Sequence, residues 1–192
     1  VQRRKYRFRM LDASISRFYE FYLTDGNGVN QPFDYIANDG NLLPAPLRNM
    51  KKVHLAPAER GDIVIDFSKF PLYTRLYLVN RLVHLDGRGP EDATVNIRDA
   101  NGFLTGAGTQ MMRFDIDSEP SVPDVSQVPN TLRELPPINL AEVVQNRTWE
   151  FDRVNAVWTV NGQLFDAVNP IASPRRGTAE IWTLRGKGNW HH

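Results

Sequence analysis

The chain has 192 residues, a hydrophobic content of 41%, a formal charge of +1 and a mean hydropathy of -0.43. These values fit one large globular domain, or one domain and part of another, and they exclude a membrane-spanning helix, because no apolar run approaches the roughly 20 residues that a bilayer requires. The near-neutral charge leaves no basic footprint for nucleic acid, and with no cysteine there is no disulfide, thiolate catalyst or cysteine-ligated metal within these residues.

The opening Val1-Gln2-Arg3-Arg4 has neither an initiator Met nor the apolar segment of a signal peptide, which suggests a start inside a longer protein; a trimmed or tagged chain explains it equally. Tyr6, Phe8 and Met10 then alternate with Lys5, Arg7 and Arg9, the period of a strand with one apolar face. Arg17 to Leu23 is a second, aromatic-rich strand closed by the turn Asp25-Gly26-Asn27-Gly28. Phe33 to Ala37 and Lys52 to Leu55 follow. Asp62 to Phe67 is the clearest strand, Leu76 to Asn80 the next, and Met111 to Ile116 alternates again. Between the last two, Leu82 to Thr109 reads as a long polar loop with at most a short strand near Val95. Strands at close intervals without a long helical stripe predict an all-β sandwich or barrel over residues 1–117.

From Ser118 the chain changes character. Pro120, Pro123, Pro129, Pro136 and Pro137 predict an extended linker between domains over 118–145, because proline removes ladder donors and stiffens the chain. Strands resume at Asn146 to Phe151 and Val157 to Val160, with a turn at Asn161-Gly162, and Thr178 to Leu184 is the last. So short a stretch does not close a sandwich, so residues 146–192 are expected to open a second domain.

Candidate chemistry is sparse. No serine sits in a Gly-x-Ser-x-Gly elbow. Asp62 and Asp66 share a strand face but lie ~13 Å apart along it, too far for an acid–base pair. With Glu59 they read as turn and cap residues, with Arg60 bridging to Glu59 or Asp62. His54 and His84 are isolated and read as satisfied polar side chains. Gly106-Ala107-Gly108 lacks the third glycine, the preceding strand and the following helix of a dinucleotide site. Asn146-Arg147-Thr148 is a glycosylation sequon, relevant only in a secreted eukaryotic protein. The last strand leads through glycine-rich sequence to Trp190, His191 and His192. Adjacent imidazoles after a strand are candidate copper or zinc ligands; the stub of a histidine tag or a solvated tail is the alternative.

Four blocks together carry a resemblance. They are Arg4 to Ser14 with Ser16-Arg17-Phe18-Tyr19, Asn38-Asp39-Gly40-Asn41-Leu42-Leu43-Pro44, Leu55 to Phe67, and Arg176-Gly177-Thr178-Ala179-Glu180-Ile181-Trp182. They resemble the middle of a multicopper oxidase, in the branch holding bilirubin oxidase and the bacterial spore-coat laccases. The resemblance implies a cupredoxin-like Greek-key β-sandwich or barrel, the copper-free second domain of that family, over 1–117. It implies the opening of the third, incomplete domain over 146–192. His192 matches the first histidine of the family's His-Pro-x-His-x-His motif, a ligand of type 1 copper, and Trp190 resembles a tryptophan on the substrate-facing side of that copper. His191 matches no ligand position.

The implied cofactor is copper, in type 1 and trinuclear sites completed by domains 1 and 3, which are the implied partners. The implied reductant is a phenol or bilirubin-like molecule, with dioxygen as oxidant. Neither nucleic acid nor membrane is implied, and the family's setting is secreted, periplasmic or spore coat. Without a cysteine these residues hold no type 1 copper alone, so the resemblance implies an inactive scaffold within an active parent. The other class left open is a copper-free β-sandwich interaction module, and a tagged domain with its function elsewhere is a third.

Overall fold

The computed structural model describes residues 1–84 and 108–187, in two compact units, Val1–Leu135 and Pro136–His192. The expected loop between Leu82 and Thr109 lies mostly outside the described residues, as do Trp190, His191 and His192.

The first unit carries strands β1 Lys5–Leu11, β2 Tyr19–Asp25, β3 Asn30–Gln31, β4 Phe33–Asn38, β5 Asn41–Met50, β6 Lys52–Leu55, β7 Arg60–Asp66, β8 Arg75–Asn80 and β9 Thr109–Asp115. They form two antiparallel sheets, one in the order β1-β7-β4-β5 and the other β3-β2-β8-β9. β6 and β3 lie along the same edge of β2, at Tyr19 to Tyr22 and at Leu23 to Thr24.

Period-two alternation makes the sandwich. Tyr6, Phe8 and Met10 of β1 turn inward beside Ile63 and Ile65 of β7, and the second sheet sends in Leu23, Leu55, Leu76 and Phe114. Each fully buried aliphatic side chain contributes roughly 1.5–3 kcal/mol relative to exposure. The outer face of β1 and β7 is ionic instead, with Arg7 donating to Asp62 through Nε at 2.8 Å and Lys5 near Asp66 at 3.9 Å. Asp66 also caps the 3-10 turn Phe67–Lys69 by accepting from Ser68 N.

The all-β class holds, and most expected strands are present within a residue or two. Sequence alone leaves two unassigned, the two-residue β3 and the longer β5. Pro44 and Pro46 interrupt its ladder potential, but β5 is the edge of its sheet, where proline is tolerated.

The proline-rich stretch divides into three. Residues 118–135 lie in the first unit, Leu140–Glu142 form a 3-10 turn capped by Asn139, and Val143 begins β10.

The second unit has three strands among the described residues, β10 Val143–Val154, β11 Val157–Val160 and β12 Ala179–Gly186, in the order β11-β10-β12. β10 and β11 form an antiparallel hairpin across Asn155-Ala156, both with positive φ (50° and 67°), as a two-residue type I′ turn requires. Asn161-Gly162 repeats the device, with φ of 53° and 76° between the bridged residues Val160 and Gln163. β12 then returns parallel to β10.

Candidate functional site

Among the described residues, two regions concentrate chemistry-bearing side chains, one in each unit.

In the first unit a polar group is buried at the edge of the second sheet. β2 places Glu20 and Tyr22 on one face, and β6 brings Lys52 and His54 opposite. Glu20 is 5% exposed. Its Oε1 accepts the Tyr22 hydroxyl at 2.5 Å and its Oε2 accepts Lys52 Nζ at 2.8 Å, with His54 Nδ1 at 3.7 Å. Burial works to raise the Glu20 pKa, but the hydrogen bonds from Lys52 and Tyr22 outweigh it and leave the carboxyl below its ordinary range. Burial and the neighbouring carboxylate together push the Tyr22 phenol far above its ordinary value.

Arg81, 4% exposed, lies 4.8 Å over the Tyr22 ring and donates to Asn30 Oδ1 and the Gly28 carbonyl. His84 accepts the Phe18 amide through Nδ1, while its buried Nε2 has no hydrogen-bond partner. Phe18 separates the two histidines, its ring centre 5.9 Å from His54 and 5.7 Å from His84. They are neighbours in space across that ring, not the isolated pair that spacing suggests.

The carboxylates singled out in the sequence hold structure together. Glu59 Oε2 accepts the Ala56 amide and closes its own turn. Asp62 takes Arg7 as partner, so the expected bridge from Arg60 to Glu59 or Asp62 is corrected: Arg60 pairs with Asp39 at 3.2 Å and donates to the Ala58 carbonyl. Gly108, the described glycine of the weak dinucleotide pattern, has a steric role. A Cβ there would stand 2.0 Å from the Asn80 carbonyl oxygen.

In the second unit the three strands present an open aromatic face. Arg147, Trp149 and Phe151 share one side of β10 by alternation. The register sets Trp182 beside Arg147, Leu184 beside Trp149 and Val160 beside Phe151. Trp149 and Trp182 meet edge to face at 5.3 Å. Glu180 fixes the rim by accepting Arg147 Nε and Trp182 Nε1, each at 2.7 Å, and these two donors hold its carboxyl below the usual range.

A hollow of about 530 Å³ opens here, lined chiefly by Trp149, Phe151, Trp158, Phe165, Trp182 and Leu184. Phe165 and Leu184 remain 91% and 65% exposed, and the buried Trp149 Nε1 has no hydrogen-bond partner. Sequence reasoning assigned these strands but not this face; the alternation Trp149, Phe151 and Trp182, Leu184 was its signal.

Whether these residues fit a metal follows from their donors. Asp166, the carboxylate at the hollow, is occupied in its own turn by the amides of Val168 and Asn169. Among the described residues no three His, Cys, Asp or Glu side chains converge into a metal-binding group. The described residues therefore do not fit a copper site. None of their helices is long and apolar enough to cross a membrane.

No family model matches the chain. Individual proteins do. The chain is 32% identical over 205 residues to bilirubin oxidase of Albifimbria verrucaria, which covers all of this chain and 32% of that protein. It is 30% identical to a laccase of Bacillus subtilis (96% of this chain, 33% of that protein) and 31% identical to the cell division protein FtsP of Edwardsiella tarda (96% and 36%). In three dimensions it is similar to the 2F4 variant of the McoA multicopper oxidase from Aquifex aeolicus, with a TM-score of 0.73 and 25% identity over 98% of this chain and 39% of that one. The chain thus spans about a third of the length of the curated relatives it matches.

Proposed function

We propose, since the chain belongs to the multicopper oxidase family, that it forms the interior of a larger oxidase. Residues 1–117 are its second cupredoxin-like domain, 118–145 the crossing, and 146–192 the opening of its third domain. The parent takes single electrons from a phenolic or bilirubin-like reductant; four electrons and four protons reduce one dioxygen to two waters. Copper supplies the electron transfer in this family, and the described residues do not fit it, so their work is scaffolding. His192 is the proposed ligand of type 1 copper and Trp190 its neighbour on the substrate side, both on resemblance alone. Domains 1 and 3 of the parent are the proposed partners, and an exported or spore-coat setting goes with the family.

One observation carries the proposal: the match to bilirubin oxidase runs through the whole chain, across both compact units. The open aromatic face of β10, β11 and β12 supports it, because Trp158, Phe165, Trp182 and Leu184 are left exposed together rather than singly. The test uses the full parent protein loaded with copper. It is expected to consume dioxygen while oxidising a phenol or bilirubin, and the same protein carrying His192→Ala is expected to lose its blue absorption. A copper-loaded parent that consumes no dioxygen with either reductant sinks the proposal.

A second reading, a non-catalytic β-sandwich module, is favoured by the 31% identity to a protein named for cell division. A parent that stays colourless and inactive with copper supports it.

A further inference from the structure

We infer that residues 118–135 are a strap bolted across the four-stranded sheet, and that Arg48 is its central bolt. The inference rests on geometry in the first unit and stands independently of the proposed oxidase.

The path is defined by three sets of bonds. At the β1 edge, the Arg3 amide donates to the Ser118 carbonyl at 2.9 Å, and the Lys5 amide donates to Asp124 Oδ2 at 2.8 Å. Asp124 Oδ1 accepts the Ser126 amide, and Arg4 stands 4.0 Å away. The Ser126 side chain, with the amides of Lys5 and Ser126, holds the Asp124 carboxyl far below its ordinary range, as expected of a carboxylate bonded in its charged form.

At the β5 edge, the Leu132 amide donates to the Pro44 carbonyl at 2.8 Å and Arg133 donates to Asn41 Oδ1 at 2.9 Å. β1 and β5 are the two outer strands of the β1-β7-β4-β5 sheet, so the segment runs from one edge to the other. Eight residue steps from Asp124 to Leu132 reach roughly 26 Å extended, and three strand spacings need only about 14 Å.

Arg48 holds the middle. Its guanidinium donates to Asp34 Oδ2 at 2.6 Å from one nitrogen, and to the Val128 carbonyl at 2.6 Å and Asn130 Oδ1 at 3.2 Å from another. Beneath it Val128 sits with Phe33 and Val64 around a hollow of about 140 Å³. A planar fork suits this many acceptors, and a lysine ammonium does not reproduce it.

The test uses the full chain. Hydrogen exchange is followed at Lys5 and Leu132, whose amides bond to or from the strap, and at Ile63 to Ile65 as a core reference. In the wild-type chain, Leu132 is expected to exchange at least ten-fold more slowly than a free peptide.

Arg48→Ala with Asp124→Asn is expected to accelerate Leu132 at least ten-fold and leave Ile63 to Ile65 unchanged. Arg48→Lys keeps the charge and is expected to fall between the two. Free-peptide exchange at Leu132 in the wild type, or an unchanged Leu132 exchange rate in the double variant, overturns the inference. So does loss of protection at Ile63 to Ile65 in Arg48→Lys, which would show Arg48 holding the sheet instead of the strap.

Discussion

The rings of Phe8 and Phe114 lie 5.3 Å apart although β1 and β9 belong to different sheets. Phe67 closes the cluster, 6.3 Å from Phe8 and 5.2 Å from Phe114. The two sheets are joined through these rings as much as through their aliphatic side chains.

Phe114→Ala is therefore expected to destabilise the first unit by about 3–5 kcal/mol, the usual cost of emptying a buried aromatic site. All four tryptophans lie beyond Leu135, so their fluorescence follows the second unit alone. The urea transition seen by circular dichroism should lose its first-unit component at lower denaturant, while the tryptophan transition stays in place. A shift in both, or in neither, contradicts the assignment of this ring to the first unit's core.

Gly108→Ala tests the stem of the connection between β8 and β9. Gly108 has φ +89°, and an added Cβ meets the Asn80 carbonyl carbon at 2.7 Å as well as its oxygen. Both the backbone conformation and the contact oppose a side chain, so a loss above about 2 kcal/mol is expected. Urea denaturation measures it; a variant as stable as the wild type would mean the strand ends part at little cost.

Ala156→Gly should do the reverse. Ala156 occupies φ 67° in the β10–β11 turn, where an L-residue with a Cβ is strained. Relieving that strain outweighs the extra freedom of glycine in the unfolded chain, for a net gain of roughly 0.5–1 kcal/mol. The tryptophan fluorescence midpoint in urea is the measure.

The Glu20–Tyr22 pair gives a pH dependence with opposite limbs. Glu20 has a folded pKa below its ordinary value, so its contribution is present above about pH 4.3 and is lost as pH falls through the lower folded value. Tyr22 has a folded pKa above its ordinary value, so its contribution is present below about pH 10 and is lost as pH rises through the higher folded value. The stability difference between the wild type and Tyr22→Phe should therefore shrink as pH rises above about 10. A difference independent of pH in that range would remove the phenol from the buried network.

Much of the first unit is legible in the sequence. β1 and β7 announce themselves by alternation and by the run Asp62 to Phe67, because one face of each strand is committed to the core. β5 was hidden because its prolines speak against a ladder, and only its place at the edge of the sheet reconciles them with one. The strap was hidden for another reason. Its composition reads as linker, and its holding partners, Asn41, Pro44 and Arg48, lie some eighty residues or more away in sequence. No local pattern encodes such a bond. In the second unit the strands were legible, but the shared face of Trp149 and Trp182 depends on a parallel register that β12 acquires only after the long crossover from β11. The candidate metal and substrate-side residues, His192 and Trp190, lie outside the described residues.

The strap follows every strand of the first unit in chain order. During synthesis it leaves the ribosome last of that unit, and it can only latch over a sheet already laid down. Its bolts then belong to the final stage of assembly, where contacts slow unfolding without hastening folding. On that order of events, Arg48→Ala is expected to raise the unfolding rate more than it changes the folding rate.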